Sequence, residues 1–226
     1  MKRIIGSVLL AMLIAGETLA AESIKLPAPA TSGGMAINQA IQTRRSVRSY
    51  KPDAMSLQEV SQLLWSAQGI TDPKTGHRAA PSAVASYPLK LYMVVRPEGV
   101  TGLDAGVYLY EPKDHSIEVV KKGDSYAELI KDTAFFNKWM KDTDVTFIFG
   151  GKPGLLQKMG DMGPLYMHLE AGMAAENLGL ESVSLGLGRC TVGGFTEKKV
   201  AATLGIEKDV EVLLLVPVGK TGASSE

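Results

Sequence analysis

Apolar residues recur at helical spacing in several stretches of the chain. The clearest is residues 56–69, in which Leu57, Val60 and Leu64 repeat every three or four positions. Ser56 and Glu59 have the spacing of a capping box at its start, and a glycine follows at its end. This pattern predicts a helix. Weaker patterns predict further helices within residues 35–45, 125–136, 164–188 and 196–205.

Short runs rich in apolar, β-branched and aromatic residues lie between these helices. They predict strands at residues 89–95, 145–151 and 210–220 and a hairpin across residues 106–124, whereas residues 70–82 are interpreted as a loop. Helices and strands are mixed without strict βαβ repetition and without an internal repeat. The order favours an α+β domain, a sheet with helices on its faces.

The helix predicted for residues 164–188 has an unusual composition. Leu165, Leu169, Met173 and Leu180 fall near one face, with Gly172 and Glu176 beside them. Several alanines and glycines are concentrated around this face, which allows another helix to approach closely. Two interpretations are open: a buried central helix, or the seam of a dimer.

The first twenty residues read as a separate segment. Lys2 and Arg3 precede an apolar run at residues 4–15, and small residues stand before a cut after Ala20. Twelve apolar residues are fewer than the roughly 20 that cross a bilayer, so no stable membrane anchor is expected after cleavage. We predict a signal peptide at 1–20, a linker or arm at 21–34, one domain at 35–220 and a tail at 221–226. Export to a bacterial periplasm follows; an uncleaved first helix and a cytoplasmic location are the alternative.

Composition excludes several classes of function. The 226-residue chain has 24 Lys plus Arg and 24 Asp plus Glu, so no net field recruits nucleic acid. Cys190 is the single cysteine, and no histidine is close to it in sequence. No pattern typical of a metal site or a nucleophilic triad is present, so we expect no metal and no catalytic nucleophile.

A local basic cluster stands out against this balance. Arg44, Arg45, Ser46 and Arg48 lie in the stretch TRRSVRSY, and no acidic residue occurs from residue 39 to residue 51. Guanidinium groups and serine hydroxyls bind phosphate through several directed hydrogen bonds. The cluster is therefore interpreted either as a site for a phosphorylated small molecule or as a surface patch.

Two further runs are rich in small residues and turns. APSAVASYPL begins at Ala80 and leads into a predicted strand, and LGLGRCTVGGF contains four glycines. Small residues let a flat ligand lie against the backbone and its amides. Ordinary turns are the alternative in both places.

Together these stretches resemble the nitroreductase-type flavoproteins, and most closely their SagB-type dehydrogenase branch. The resemblance runs from about residue 34 to residue 220 and rests on RRSVRSY, SLQEVSQLLWSAQGI, APSAVASYPL, GVYLY, LEAGMAAENLGL, LGLGRCTVGGF and PVGK. It implies a mostly antiparallel sheet flanked by helices, and a homodimer with FMN at the subunit interface.

The resemblance also implies residue roles. Arg44, Arg45, Ser46 and Arg48 would hold the ribityl phosphate and the ring edge, with Lys220 as a further phosphate contact. Pro81, Ser82 and Ala83 would come from the partner subunit, and Val192, Gly193 and Gly194 would line the ring near N5. The sequence departs from the usual family pattern at Ala85, Tyr87 and Gly193.

The implied activity is FMN-dependent oxidation and reduction. Electrons would pass from an NAD(P)H-like donor to a small organic acceptor such as a nitroaromatic or a quinone. Three alternatives remain open: an azoline-type dehydrogenase, a flavin-binding partner protein without turnover, and an exported interaction domain that has lost FMN.

Overall fold

The computed structural model describes residues 22–221, with the side chains of all but residues 134–136. The predicted signal peptide and all but the first residue of the tail lie outside the described residues. The α-helices are α1 (Ile37–Thr43), α2 (Leu57–Gln68), α3 (Tyr126–Asn137), α4 (Gly163–Ser184) and α5 (Glu197–Leu204). The strands are β1 (Ser23–Lys25), β2 (Met55–Ser56), β3 (Ile70–Asp72), β4 (His77–Arg78), β5 (Leu89–Val95), β6 (Val100–Thr101), β7 (Gly106–Glu111), β8 (Ser116–Lys122), β9 (Val145–Gly151), β10 (Leu187–Arg189) and β11 (Glu211–Lys220).

Seven strands form the main sheet, in the order β1-β8-β7-β5-β9-β11-β10. Every neighbouring pair in it is antiparallel. This confirms the α+β prediction of a mostly antiparallel sheet. The hairpin predicted across residues 106–124 is present as β7 and β8, and the predicted central strands are β5, β9 and β11.

Helices cover both faces of the sheet. Along β5, Leu91 and Met93 contribute to a cluster that α2 and α4 complete, whereas Tyr92 and Val94 contribute to a second cluster with α3 and α5. Successive side chains of a strand point to opposite faces. Burial of both faces therefore explains why the central strands have continuous apolar sequences, in which apolar and polar residues do not alternate.

Helix α2 begins and ends where the capping box and the following glycine in the sequence predicted. The Ser56 hydroxyl accepts a hydrogen bond from the Glu59 amide, and the Glu59 carboxylate accepts one from the Ser56 amide. Helix α4 is shorter than predicted: it ends at Ser184, and Gly186 then adopts a left-handed φ of 70°. Residues 187–189 form β10 instead, the edge strand of the main sheet.

Several short strands are not predicted by the sequence pattern. The segment interpreted as a loop contains the hairpin of β3 and β4. The segment interpreted as an arm begins with β1, which pairs with β8, and its Leu26 is buried. The ring of His115 joins this arm to the core, because it lies 3.0 Å from the Pro27 carbonyl and 2.7 Å from the Ser61 hydroxyl.

Within residues 22–221, none of the helices combines the length and the apolar character needed to cross a membrane.

Candidate functional site

The basic segment lies along the edge strand of the main sheet. Ser46 forms a β-bridge with Arg189, and the Val47 amide donates to the Arg189 carbonyl at 2.9 Å. Gly188 makes this approach possible, since a Cβ there would lie 2.8 Å from a methyl of Val47. Gly188, the last residue of the helix predicted for residues 164–188, therefore lies outside that helix. Because Gly188 has no side chain, the basic segment can pack directly against β10.

Two arginines share one carboxylate at this edge. The Arg189 guanidinium donates to Glu176 on α4, and Arg44 Nε lies 3.6 Å from the other Glu176 oxygen. Arg189 is only 4% exposed, and its Nη1 donates to the Thr191 hydroxyl. Its Nε is buried and has no hydrogen-bond partner among the described residues. One carboxylate thus faces two guanidinium groups, which leaves an excess of positive charge.

The remaining arginines of the segment differ in their surroundings. The Arg48 guanidinium lies 5.9 Å from the centre of the Trp139 ring, and Tyr50 stacks on the same ring at 6.2 Å. Arg45 is exposed and donates to the carbonyls of its own helix end, at Gln42 and Arg44. Burial raises the pKa of Tyr50, so its hydroxyl stays protonated and donates to the Val47 carbonyl. The chain from Arg44 to Tyr50 is therefore held at several points.

Lys220 lies at the end of β11, directly opposite Leu187 of β10. Its ammonium group pairs with Glu59. Burial opposes ionisation of Glu59, but the hydrogen bonds from Lys220 and Ser56 outweigh it and lower the pKa of that carboxyl. Glu59 is therefore charged at neutral pH, and any phosphate at Lys220 would compete with it.

The glycine-containing loop follows β10 at the same edge. Val192 pairs with Leu215 of β11 and is buried. The Gly194 carbonyl accepts a hydrogen bond from the side-chain amide of Asn137 at 3.2 Å. A Cβ on Gly193 or on Gly194 would meet no described atom within 4 Å. The backbone here therefore borders open space that a flat group can approach.

The run from Pro81 forms a tight turn elsewhere, against α4. The Ala83 amide donates to the buried carboxylate of Glu170 at 2.7 Å, and the Tyr87 amide donates to the Ser82 hydroxyl at 2.8 Å. Val84, Ala85 and Tyr87 have φ values of 48°, 53° and 46°. Three non-glycine residues in the left-handed region within four positions mark a strained turn, since each costs of order 1 kcal/mol or more. Val84 is 77% exposed at its tip.

The structure thus brings three of the four predicted pieces together. The basic segment, the Val192–Gly194 loop and Lys220 lie at one edge of the sheet. Among the described residues, no hydrogen bond or ion pair joins Pro81, Ser82 or Ala83 to the basic segment of the same chain.

The residues at this edge fit FMN. Surplus guanidinium groups suit a dianionic phosphate. The buried Arg189 Nε lacks an acceptor, and open space beside Gly193 and Gly194 suits a planar ring. Arg44, Arg45, Ser46, Arg48 and Lys220 would hold the phosphate and ribityl end, and Val192, Gly193 and Gly194 would line the ring.

Four residues of this edge were not predicted to belong to the site. Arg189 is a lone charge within an apolar strand, and that signal is visible in the sequence. Glu176, Asn137 and Trp139 carry no such signal. They lie far along the chain from the residues they contact and become neighbours only on folding.

Known proteins resemble this chain in sequence and in structure. The nitroreductase family profile matches residues 41–220. One relative is a protein of Methanocaldococcus jannaschii that is named as a nitroreductase. The two sequences are 36% identical over 178 residues, which are 78% of this chain and 87% of the relative. A nitroreductase-type crystal structure from Ralstonia eutropha superposes with a TM-score of 0.77 at 25% identity and covers 89% of this chain and 90% of its own.

A third similarity is to the fold alone. The Escherichia coli microcin synthetase McbBCD complex has a chain that covers 98% of this protein and 85% of itself, with a TM-score of 0.71 at 20% identity. The sheet and its flanking helices are therefore shared with nitroreductase-like structures over nearly the whole described chain. With the profile match and the archaeal relative, this establishes that the chain belongs to the nitroreductase family.

Proposed function

We propose that this protein is an FMN-dependent oxidoreductase that passes electrons from an NAD(P)H-like donor to a small organic acceptor such as a nitroaromatic or a quinone. Membership of the nitroreductase family makes the chain an oxidoreductase. The observation that carries the cofactor assignment is the surplus of guanidinium groups at the β10 edge, next to a backbone that borders open space.

FMN, when bound, would supply hydride and electron transfer at its ring N5. The tasks of the chain are then binding, orientation and electrostatics. Arg44 and Arg48 neutralise the phosphate, and the open backbone at Gly193 and Gly194 lets the ring approach. Arg189 adds a buried positive charge beside this site. No side-chain nucleophile is needed.

The test of this function is the behaviour of the purified protein with FMN and NADPH. We expect a yellow protein with flavin absorption that NADPH bleaches and that a quinone or nitroaromatic restores. A yellow protein that neither NADH nor NADPH bleaches would favour the flavin-binding partner without turnover. A protein that stays colourless after incubation with FMN would contradict the cofactor assignment.

We further propose that two copies form the functional unit. Three apolar side chains of α4 are exposed in the single chain: Leu165 by 49%, Leu169 by 52% and Met173 by 40%. Ile37 and Ile41 on α1, a helix that contacts α4, are exposed by 60% and 58%. Exposed apolar side chains on two contacting helices are typical of a protein interface. The separation of the Pro81 turn from the basic segment supports the same arrangement.

Replacing Leu169 with glutamate is expected to disrupt this dimer, because it buries a charge in an apolar interface. A central interface residue contributes about 2 kcal/mol or more, which corresponds to about a thirtyfold weaker association. Analytical ultracentrifugation with and without FMN measures the change. Lys198→Glu is the matched control, because Lys198 is exposed on α5, on the opposite face of the sheet. A wild-type protein that is monomeric with FMN bound would contradict the proposal.

The SagB-type branch is a narrower assignment within this proposal. It is supported by the sequence resemblance. In that branch an azoline ring is the substrate. Turnover of an azoline-containing peptide, measured against a nitroaromatic, distinguishes the two substrate classes.

We also propose that the mature chain starts near Ala21 and is exported. The proposal rests on the charged, apolar and small-residue pattern of residues 1–20. An intact mass of the native protein that includes Met1 or Lys2 would contradict it.

A further inference from the structure

Arg48 is held differently from the other cations at the β10 edge. Arg44 faces the Glu176 carboxylate, and Lys220 pairs with Glu59. A phosphate that binds either of these two cations competes with a carboxylate of the chain itself. Among the described residues, the side chain of Arg48 makes no ion pair and no hydrogen bond. Its partner is an aromatic ring instead.

The ring that holds Arg48 leaves its hydrogen-bond donors free. The guanidinium carbon lies 5.9 Å from the centre of the Trp139 ring, within the range of a cation–π contact. The ring attracts the positive charge but accepts no conventional hydrogen bond. The N–H groups of Arg48 therefore stay available for the oxygens of a ligand, whereas those of an arginine paired with a carboxylate are partly used.

Tyr50 adds a second contact between the basic segment and the same ring. Its ring is stacked on that of Trp139, with the centres 6.2 Å apart and the planes inclined by 24°. Its hydroxyl donates to the Val47 carbonyl at 2.6 Å, which holds the tyrosine against its own segment. Two side chains of the basic segment, Arg48 and Tyr50, therefore meet Trp139.

The neighbours of Trp139 fix the position of its ring. Trp139 belongs to a short 3₁₀ helix, Lys138–Asp142, that follows α3, and it packs against the core cluster on that face of the sheet. The next residue, Met140, is fully buried. Two positions before the ring, the side-chain amide of Asn137 donates to the Gly194 carbonyl at 3.2 Å. This short stretch thus contacts both the glycine-containing loop and the basic segment.

We propose that Trp139 is a positioning residue for the cofactor: its ring holds the Arg48 guanidinium at the candidate site, with the N–H donors free to bind the phosphate of FMN. This inference rests on the proposed function and adds to that site a residue with an indirect role. Without the ring, Arg48 is free to sample more rotamers, and ordering it on binding costs affinity. Loss of the ring therefore weakens recognition of the phosphate and not of the rest of the flavin.

The experiment measures the affinity of the full chain for FMN and for riboflavin by equilibrium dialysis. Trp139→Leu removes the ring but keeps an apolar side chain at this partly buried position. We expect it to weaken FMN binding by about two- to fivefold, the range of a partly exposed cation–π contact. Riboflavin, which lacks the phosphate, is expected to bind this variant and wild type equally. Trp65→Leu is the matched control, because Trp65 is the other tryptophan of the chain and lies on α2.

A double-mutant cycle separates positioning from a general structural effect. In an Arg48→Ala background there is no guanidinium to position, so adding Trp139→Leu should change FMN affinity little. Trp139→Tyr keeps an aromatic face and is expected to bind FMN within about twofold of wild type. Circular dichroism checks that each variant folds, and Trp139→Gln takes the place of Trp139→Leu if that variant does not.

The outcomes distinguish a failure of this inference from a failure of the proposed function. If Arg48→Ala weakens FMN binding but the leucine and glutamine variants of Trp139 bind FMN as wild type does, the positioning role alone is wrong. The role is also wrong if loss of the ring weakens FMN and riboflavin binding equally, or weakens FMN binding as much in the Arg48→Ala background. A wild-type protein that binds no FMN would overturn the proposed function and this inference with it.

Discussion

Arg44→Ala is expected to release FMN from the protein while the apo-protein stays folded. Arg44 is partly exposed and makes one long contact, 3.6 Å, to Glu176, so its side chain contributes little to the core. A hydrogen bond to a charged group contributes roughly 1.5–3 kcal/mol. Its loss weakens FMN binding by about tenfold to a hundredfold, which fluorescence titration of the apo-protein with FMN measures. Arg48→Ala is expected to do the same, with a smaller effect because Arg48 is exposed beside Trp139.

Riboflavin provides the control for this prediction, because it lacks the phosphate. Arg44→Ala and wild type are expected to bind riboflavin equally well, and Lys198→Ala is expected to bind FMN as wild type does. If both arginine variants keep full FMN affinity, or if riboflavin binding falls as much as FMN binding, these side chains do not bind the phosphate.

Gly179→Ala is expected to destabilise the fold by about 2–4 kcal/mol. A Cβ at Gly179 would overlap the guanidinium of Arg189, which lies between α4 and β10. Displacing that guanidinium breaks its pair with Glu176 and leaves a buried charge without a partner, which costs about 3–5 kcal/mol. The better helix propensity of alanine offsets about 1 kcal/mol of this. Chemical denaturation measures the change in the free energy of unfolding.

Two comparisons isolate the cause. Gly154→Ala is the control, because a Cβ there meets no described atom within 4 Å, and its effect should stay within about 0.5 kcal/mol. In an Arg189→Met background the shorter, uncharged side chain leaves room, so adding Gly179→Ala should cost little. An equal loss of stability in both backgrounds would show that the guanidinium is not the obstacle.

The sequence predicted the long elements well and the short ones poorly. Helix α2 and strands β5 and β9 are where the pattern placed them, because capping and apolar periodicity act within one segment. Strand β1 and the β3–β4 hairpin have two or three residues per strand, too few for a period to be visible. Their pairing partners decide their structure.

The candidate site shows the same difference between what local sequence patterns predict and what contacts between distant residues decide. The sequence by itself determined the family, and it identified the basic cluster and the glycine-containing loop, because residue types and their order carry that information. Only the tertiary structure decided that Val47 packs closely against Gly188. It also decided that Glu176 lies between Arg44 and Arg189, and that Lys220 pairs with Glu59. These contacts join residues that are 13 to 161 positions apart. Close packing between distant segments, rather than any local preference, selects them.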